Sequence, residues 1–285
     1  MFELAVFTDD IDQDLDRALD VAQQLGVRWV EIRSAWGKNL VDQPETAIVA
    51  VRNAIQARGL RVRCVPAPLL KCTLRGAGEA SREQFFAQAR DSSQQMEVLR
   101  KAIRIARHFD TSLIRCFSFW RIPGELAAIW GELLEQFREP VRLAEHEGVT
   151  LVLENDFECN LGTGADTARF IAAVDSPHLR VLWDPGNAHC VGEEAYPAGY
   201  GHVRGLVDHV HVKDAVRDPA TKSCRWVSLG SGEVDLLGQL QALRADGYTD
   251  VVTLENHYTP AGGTKEDGVR ESFRGLQRLV EEVER

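Results

Sequence analysis

The segment Leu4-Ala5-Val6-Phe7-Thr8-Asp9-Asp10-Ile11-Asp12 runs from a short apolar stretch directly into an acidic turn that contains no glycine. Seven more short, nearly continuous apolar runs follow it: Val27–Ile32, Arg61–Val65, Ser112–Phe117, Thr150–Leu153, Arg180–Trp183, His209–Val212 and Val251–Leu254. With Leu4–Phe7 they make eight candidate strands, each with the character of a parallel strand buried on both faces. Amphipathic helical patterns lie between them. Asp12 to Leu25 stops at Gly26, Pro44 to Arg58 at Gly59, and Glu125 to Glu147 at Gly148, each glycine suiting a helix C-terminus. Ser81 to Phe109, Ala165 to Val174, Leu236 to Ala245 and Glu266 to Glu284 repeat the pattern, whereas Pro197 to Val207 is interrupted by glycines.

Alternating βα units predict either an open doubly wound sheet or a closed barrel. A dinucleotide-binding sheet carries G-x-G-x-x-G at its first strand–helix turn, which here is Thr8 to Asp12. Gly76-Ala77-Gly78 and Gly162-Thr163-Gly164 lack a third glycine and read as plain turns. The expected fold is therefore α/β, a single (β/α)8 TIM barrel domain spanning residues 1–285.

Bulk properties narrow the function classes. A formal net charge of -10 argues against a nucleic-acid partner, because such binding comes mainly from lysine and arginine displacing counterions. No apolar run approaches the roughly 20 residues needed to cross a bilayer, so no membrane partner is expected. Met1-Phe2-Glu3-Leu4 opens no secretory signal. Cys64, Cys72, Cys116, Cys159, Cys190 and Cys224 have no paired spacing and read as reduced thiols, which together place the protein in the cytoplasm.

Catalytic groups of such barrels sit at the C-terminal ends of the strands. Here each of the last four strands ends in a metal-capable side chain: Glu154 after Leu153, Asp184 after Trp183, His211 within the seventh strand, and Glu255 after Leu254. One acid after an apolar strand is ordinarily a cap or loop residue, and Asp184 before Pro185-Gly186 alone suits a turn. The coincidence on neighbouring strands carries the inference. Carboxylates closing apolar runs are costly to bury unless paired or metal-bound, and these four converge on one point near the axis.

The segments Leu153-Glu154-Asn155, Trp183-Asp184-Pro185-Gly186-Asn187, His209-Val210-His211-Val212-Lys213-Asp214, Gly230-Ser231-Gly232-Glu233-Val234-Asp235 and Leu254-Glu255-Asn256 follow one another through the C-terminal half. In this the chain resembles the xylose-isomerase-like barrel superfamily, in the sugar phosphate isomerase/epimerase group with its ketose 3-epimerases, hydroxypyruvate isomerases and inosose dehydratases. The N-terminal half matches only in rhythm. The resemblance implies one divalent metal ion per chain held by Glu154, Asp184, His211 and Glu255, with Arg217 and Glu158 reaching substrate oxygens. Asn187 stands where many of those epimerases carry a histidine, and His189 is close by. It also implies a small sugar or sugar-like substrate, and a homodimer or homotetramer.

Three carboxylates and one imidazole suit Mn²⁺, Mg²⁺ or Co²⁺ ahead of Zn²⁺. The expected activity is metal-dependent isomerisation or epimerisation, with Glu154 and Glu255 as catalytic residues that remove and return a proton through an enediolate. Asn187, Lys213, Glu158 and Arg217 are the expected substrate-binding residues; Lys213 shares a strand face with His211, though pairing with Glu233 or Asp214 is its alternative. A dehydratase or lyase on the same scaffold, a metal hydrolase, and a non-catalytic sugar-binding barrel are the competing readings. Arg33 and Arg115 read first as surface salt-bridge partners, and as anion-binding groups if they point inward. His209 reads equally as a core histidine or a support for the site, His257 as a neighbour of Glu255, and Trp36, Phe119 and Trp120 as pocket walls or packing. Gly230-Ser231-Gly232 is a weak phosphate-loop signal, since no Lys-Ser/Thr follows it. Pro68–Glu79 and Gly192–Gly201 read as specificity loops.

Overall fold

The computed structural model describes residues 2–75, 86–88, 90–122, 124 and 126–285. In chain order the strands are β1 (Glu3–Phe7), β2 (Trp29–Glu31), β3 (Ser34–Ala35), β4 (Lys38–Asn39), β5 (Arg61–Val62), β6 (Cys64–Leu69), β7 (Leu113–Cys116), β8 (Thr150–Glu154), β9 (Leu179–Trp183), β10 (Val207–Val212), β11 (Asp214–Arg217), β12 (Cys224–Val227) and β13 (Val251–Leu254). Nine of them form one sheet in the order β5-β2-β1-β13-β10-β9-β8-β7-β6, and every pairing in it is parallel.

The sheet begins on β5 and ends on β6, which only Arg63 separates in the chain. β5 pairs with β2 through Trp29↔Arg61, and β6 pairs with β7 through Cys64↔Leu113. They are two halves of one bent strand, and the sheet is a barrel with eight strand positions. The expected strand Arg61–Val65 is thus split at Arg63 and extended to Leu69. Pro66 and Pro68 remove two ladder donors, and the register with β7 shifts between Val65 and Leu69. The predicted loop Pro68–Glu79 accordingly starts later, because Pro68 and Leu69 are strand. Gly76-Ala77-Gly78 lies outside the described residues.

The helices are α1 (Leu15–Gln24), α2 (Glu45–Ala57), α3 (Gln95–His108), α4 (Leu126–Glu147), α5 (Gly164–Val174), α6 (Pro185–Val191), α7 (Tyr200–Val203), α8 (Leu236–Ala245) and α9 (Lys265–Glu284). Gly26, Gly59 and Gly148 adopt φ of +79°, +69° and +68°, the left-handed conformation expected where a helix is stopped. The pattern predicted from Ser81 becomes helix much later: Asp91 and Gln94 form a capping box on a short turn, and α3 starts at Gln95. Residues 81–85 lie outside the described residues. The stretch Pro197–Val207 holds the end of a π-turn and the single turn of α7, as its glycines suggest.

The core has two parts. A large apolar layer fills the space between sheet and helices, whereas Cys64, Leu113, Val152 and Leu182 pack as a separate cluster on the inward faces of their strands. Two residues further along three of those faces stand Arg115, Glu154 and Asp184, all buried. On these three strands the interior therefore changes from apolar to charged within one step of the strand period.

Two antiparallel hairpins, β3–β4 and β11–β12, project from the main sheet. The second corrects the reading of the cysteines. Cys190, near the end of α6, is disulfide-bonded to Cys224 at the start of β12, with Cα atoms 5.7 Å apart. A spacing of 34 residues gives no local signal of this contact, which arises because α6 packs against β11. The other four cysteines are free and buried. Among the described residues no helix is long and apolar enough to cross a membrane. Protein purified in air and denatured without reductant should titrate four thiols with an aromatic disulfide reagent, and six after reduction. Six thiols before reduction would show that the 190–224 bond does not form.

Candidate metal centre

Each candidate ligand owes its position to a strand end. Glu154 is the last residue of β8, Glu255 directly follows β13, and His211 lies in β10. Asp184 follows β9 and is the N-cap of α6, its Oδ1 accepting the Asn187 backbone N–H at 2.9 Å. All four are at most 2% exposed. One ligating atom from each lies within 4.8 Å of the others.

Cations and donors surround these carboxylates. Glu154 accepts Arg115 Nη1 at 3.1 Å on Oε2 and Asn187 Nδ2 at 3.0 Å on Oε1. Glu255 accepts Arg33 Nη1 at 2.9 Å on Oε1 and Lys213 Nζ at 2.5 Å on Oε2. Lys213 Nζ also sits 2.8 Å from Asp184 Oδ2, but without hydrogen-bond geometry, so this contact is an ion pair only. Arg33 in turn is held by Asp9, at 2.8 Å, and by Asp10. His211 turns Nε2 toward Glu31, 3.2 Å away, and leaves Nδ1 without a hydrogen-bond partner, 3.9 Å from Glu154 Oε1.

These surroundings set the charges. Burial works to raise the Glu154 carboxyl, and so does Glu255, but the Arg115 guanidinium and His211 together overcome both and hold the group at about 2. Asp184 goes the other way: burial outweighs the pull of Lys213 and lifts it to about 6. Burial opposes protonation of His211, yet Glu31 and Glu154 on either side push it up to about 10. The proton on His211 Nδ1 is then the one a bound cation would replace.

The donor set fits a divalent cation. It offers three carboxylates, an imidazole nitrogen with no protein partner, and a carboxylate behind that imidazole, the support usual for a metal-binding histidine. Beside it opens a cavity of about 390 Å³, lined by Glu154, Glu255, Lys213, Arg115, His257, Lys71, Phe117, Asp156, Phe157 and Glu158. Lys71 Nζ is 2.7 Å from Asp156 and 4.3 Å above the Phe117 ring. Trp226 of β12 meets the Phe157 ring edge-on and the His257 ring at a tilt, at centroid distances of 5.6 and 5.0 Å.

The remaining sequence-predicted residues fall into two groups. Glu158 and Lys213 line the cavity. Asn187 is fully buried beside Glu154 and Asp184, and Arg217 reaches the end of α6, where its Nε donates to the Cys190 carbonyl at 3.3 Å. Lys213 pairs with Asp184 and Glu255, in place of Glu233 or Asp214. Arg33 and Arg115 are not surface groups; they are 4% and 1% exposed, point inward, and bind Glu255 and Glu154. Asp214 accepts the backbone N–H groups of Gly230 and Gly232 at 2.9 and 2.8 Å, so an internal carboxylate takes the place of a phosphate in that loop. Trp36 is 51% exposed, Phe119 is core, and His189 lies 3.5 Å from Glu233. Glu31 and Lys71 had no motif to reveal them. The one signal for Glu31 is its place at the end of an apolar strand.

A family model described as xylose isomerase-like TIM barrel matches residues 19–279. An uncharacterised protein of Methanocaldococcus jannaschii, MJ1311, is 24% identical over 173 residues, and the match spans 56% of this chain and 56% of that protein. Among solved structures, 3-keto-D-glucoside 4-epimerase YcjR from E. coli aligns at 18% identity and TM-score 0.70, covering 98% of this chain and 99% of that one. The IOLI protein with a bound zinc atom aligns at 17% identity and TM-score 0.75, covering 99% of each chain. At these identities the structural likeness establishes the fold.

Protonation of Asp184 near pH 6, and of His211 above it, sets a direction for metal binding. Both must lose a proton to act as ligands, so affinity should fall as pH drops, by about tenfold per unit for each proton displaced. Mn²⁺ titrations followed by electron paramagnetic resonance between pH 8 and pH 5 would measure it; a constant affinity across that range contradicts this ligand set.

Proposed function

The chain belongs to the xylose isomerase-like TIM barrel family, and from that premise we propose that it is a divalent-metal-dependent isomerase or epimerase of a small sugar or sugar-like ketone or polyol. One observation carries the proposal. Two carboxylates of the candidate metal centre, Glu154 and Glu255, also line the cavity where a small molecule would sit. The family's own members include sugar epimerases and isomerases, which supports an enzyme. The oxygen-rich donor set favours Mn²⁺, Mg²⁺ or Co²⁺ over Zn²⁺.

A bound divalent ion would supply Lewis-acid stabilisation of the negative charge that develops on a substrate carbonyl. The protein's own groups do the rest. One of Glu154 and Glu255 removes the proton next to the carbonyl, and the other returns one, to the opposite face in an epimerisation or to the neighbouring carbon in an isomerisation. Arg115 and Asn187 hold Glu154, while Arg33 and Lys213 hold Glu255, so neither carboxylate has to be ordered when substrate arrives. Lys71, Lys213 and Glu158 offer polar contacts to hydroxyl groups, and Phe117 and Phe157, the latter backed by Trp226, shield the reacting carbon from water. We further propose that it acts on a small molecule, without nucleic acid or membrane, as a dimer or tetramer.

The test is substitution with a metal control. Glu154→Gln and Glu255→Gln should each lower turnover by about 10²–10⁴-fold, and suppress exchange of substrate protons with deuterated solvent. Elemental analysis of both variants separates loss of the ion from loss of the base. Near-normal exchange in either metal-loaded variant would remove that residue from the proposed chemistry.

A further inference from the structure

We infer that Glu31 is a positioning residue that fixes the imidazole tautomer of His211 and so aims Nδ1 at the candidate metal position. The inference rests on the reading of Glu154, Asp184, His211 and Glu255 as a metal site. Glu31 ends β2, on the half of the barrel that supplies no candidate ligand, and is fully buried. Its Oε1 receives His209 Nε2 at 2.6 Å, Thr253 Oγ1 at 2.7 Å and His211 Nε2 at 3.2 Å. Its Oε2 lies 3.3 Å from the same His211 nitrogen.

The chemistry of this contact is one-sided. An ionised carboxylate only accepts hydrogen bonds, so each imidazole facing it must present an N–H, and both present Nε2. Either protonation count of His211 keeps that Nε2 proton, and the neutral ring that remains once a cation displaces the Nδ1 proton carries its lone pair on Nδ1. Both Nδ1 atoms are buried with no hydrogen-bond partner. His209 lies one inward step below His211 on β10, and it is the His211 Nδ1 that faces Glu154, at 3.9 Å. Thr253 Oγ1 donates to the same Oε1 that both Nε2 atoms face, the arrangement of an acceptor carboxylate.

Glu31, His209 and His211 also stand close enough together to hold a metal ion. In this structure Glu31 Oε1 and His209 Nε2 are 2.6 Å apart, as in a strong hydrogen bond, and the metal stoichiometry below separates the two roles. The next inward residue on the same stretch, Arg33, holds Glu255. The segment Glu31–Arg33 thus orients two of the four candidate ligands without contributing one.

The first experiment needs no variant: ring-nitrogen NMR of protein labelled with ¹⁵N-histidine, metal-free and with Mg²⁺. A proton on His211 Nε2 in both states is expected, and a bare Nε2 in either overturns the inference. Glu31→Gln preserves shape but adds an amide donor that can face Nε2 and release the tautomer. Its Co²⁺ affinity should fall about 10–100-fold relative to wild type, with part of the His211 signal shifting to a bare Nε2. Unchanged affinity in folded Glu31→Gln overturns the inference. So does a wild-type stoichiometry of two ions per chain with one lost in the variant, since Glu31 would then be a ligand. If wild type binds no Co²⁺ or Mn²⁺ at all, the metal reading falls, and a His211 Nε2 proton lost in the variant would leave Glu31 supported as the tautomer-fixing group.

Discussion

Burying charge inside a barrel constrains everything else in this protein. Each ion removed from water costs on the order of several kcal/mol after relaxation, and only close partners with good geometry recover it. The upper interior holds Glu31, Glu154, Asp184 and Glu255, all nearly inaccessible to solvent. Arg33, Arg115 and Lys213 answer them from neighbouring strand ends, each buried to a similar degree. Removing one arginine would leave a carboxylate uncompensated, a change that costs about 3–5 kcal/mol in comparable sites. The strands must therefore end in register, because the pairs span Arg33 to Glu255 and Arg115 to Glu154, across 222 and 39 residues of chain.

The two halves of the barrel divide this work. The candidate ligands come from the last four strand positions, and Arg33, Arg115 and Glu31 come from the first four. Fixed cations and hydrogen-bond donors reduce the reorganisation needed when charge develops nearby. They also explain why the carboxylates differ. Glu154, against Arg115, is held at about 2, while Asp184, with one ion pair and deep burial, rises to about 6. Residues of one chemical type on adjacent strands acquire separate characters from their neighbours alone.

That division matches what the sequence made legible. The eight strand positions could be read because each is a short apolar run, and the four candidate ligands because each ends one. Period-two alternation then placed Glu154 with Val152, and both do lie on the inward side. The split at Arg63 was not legible, since it depends on how Pro66 and Pro68 meet β7. Neither was the Cys190–Cys224 bond, which joins segments far apart in sequence. Arg33 and Arg115 were misjudged because an arginine at a strand end is usually solvated, and only the carboxylates opposite make burial tolerable. Glu31 escaped for a related reason: its partners His209, His211 and Thr253 lie 178 to 222 residues away.

The disulfide lies where these parts meet. α6 begins at Asp184, carries Asn187 against Glu154, and ends beside Cys190. β12 begins at Cys224 and places Trp226 beside Phe157 and His257, two residues of the cavity lining. Arg217 on the paired strand β11 adds a hydrogen bond to the Cys190 carbonyl. One covalent link and one hydrogen bond thus tie the helix capped by a candidate ligand to the hairpin that packs against two residues of the cavity lining. Motion of that hairpin alone would have to distort the last turn of α6, whose other end is fixed by the Asp184 cap. Loop segments usually move more freely than the scaffold beneath them; here the hairpin that packs on Phe157 and His257 is tied to that scaffold.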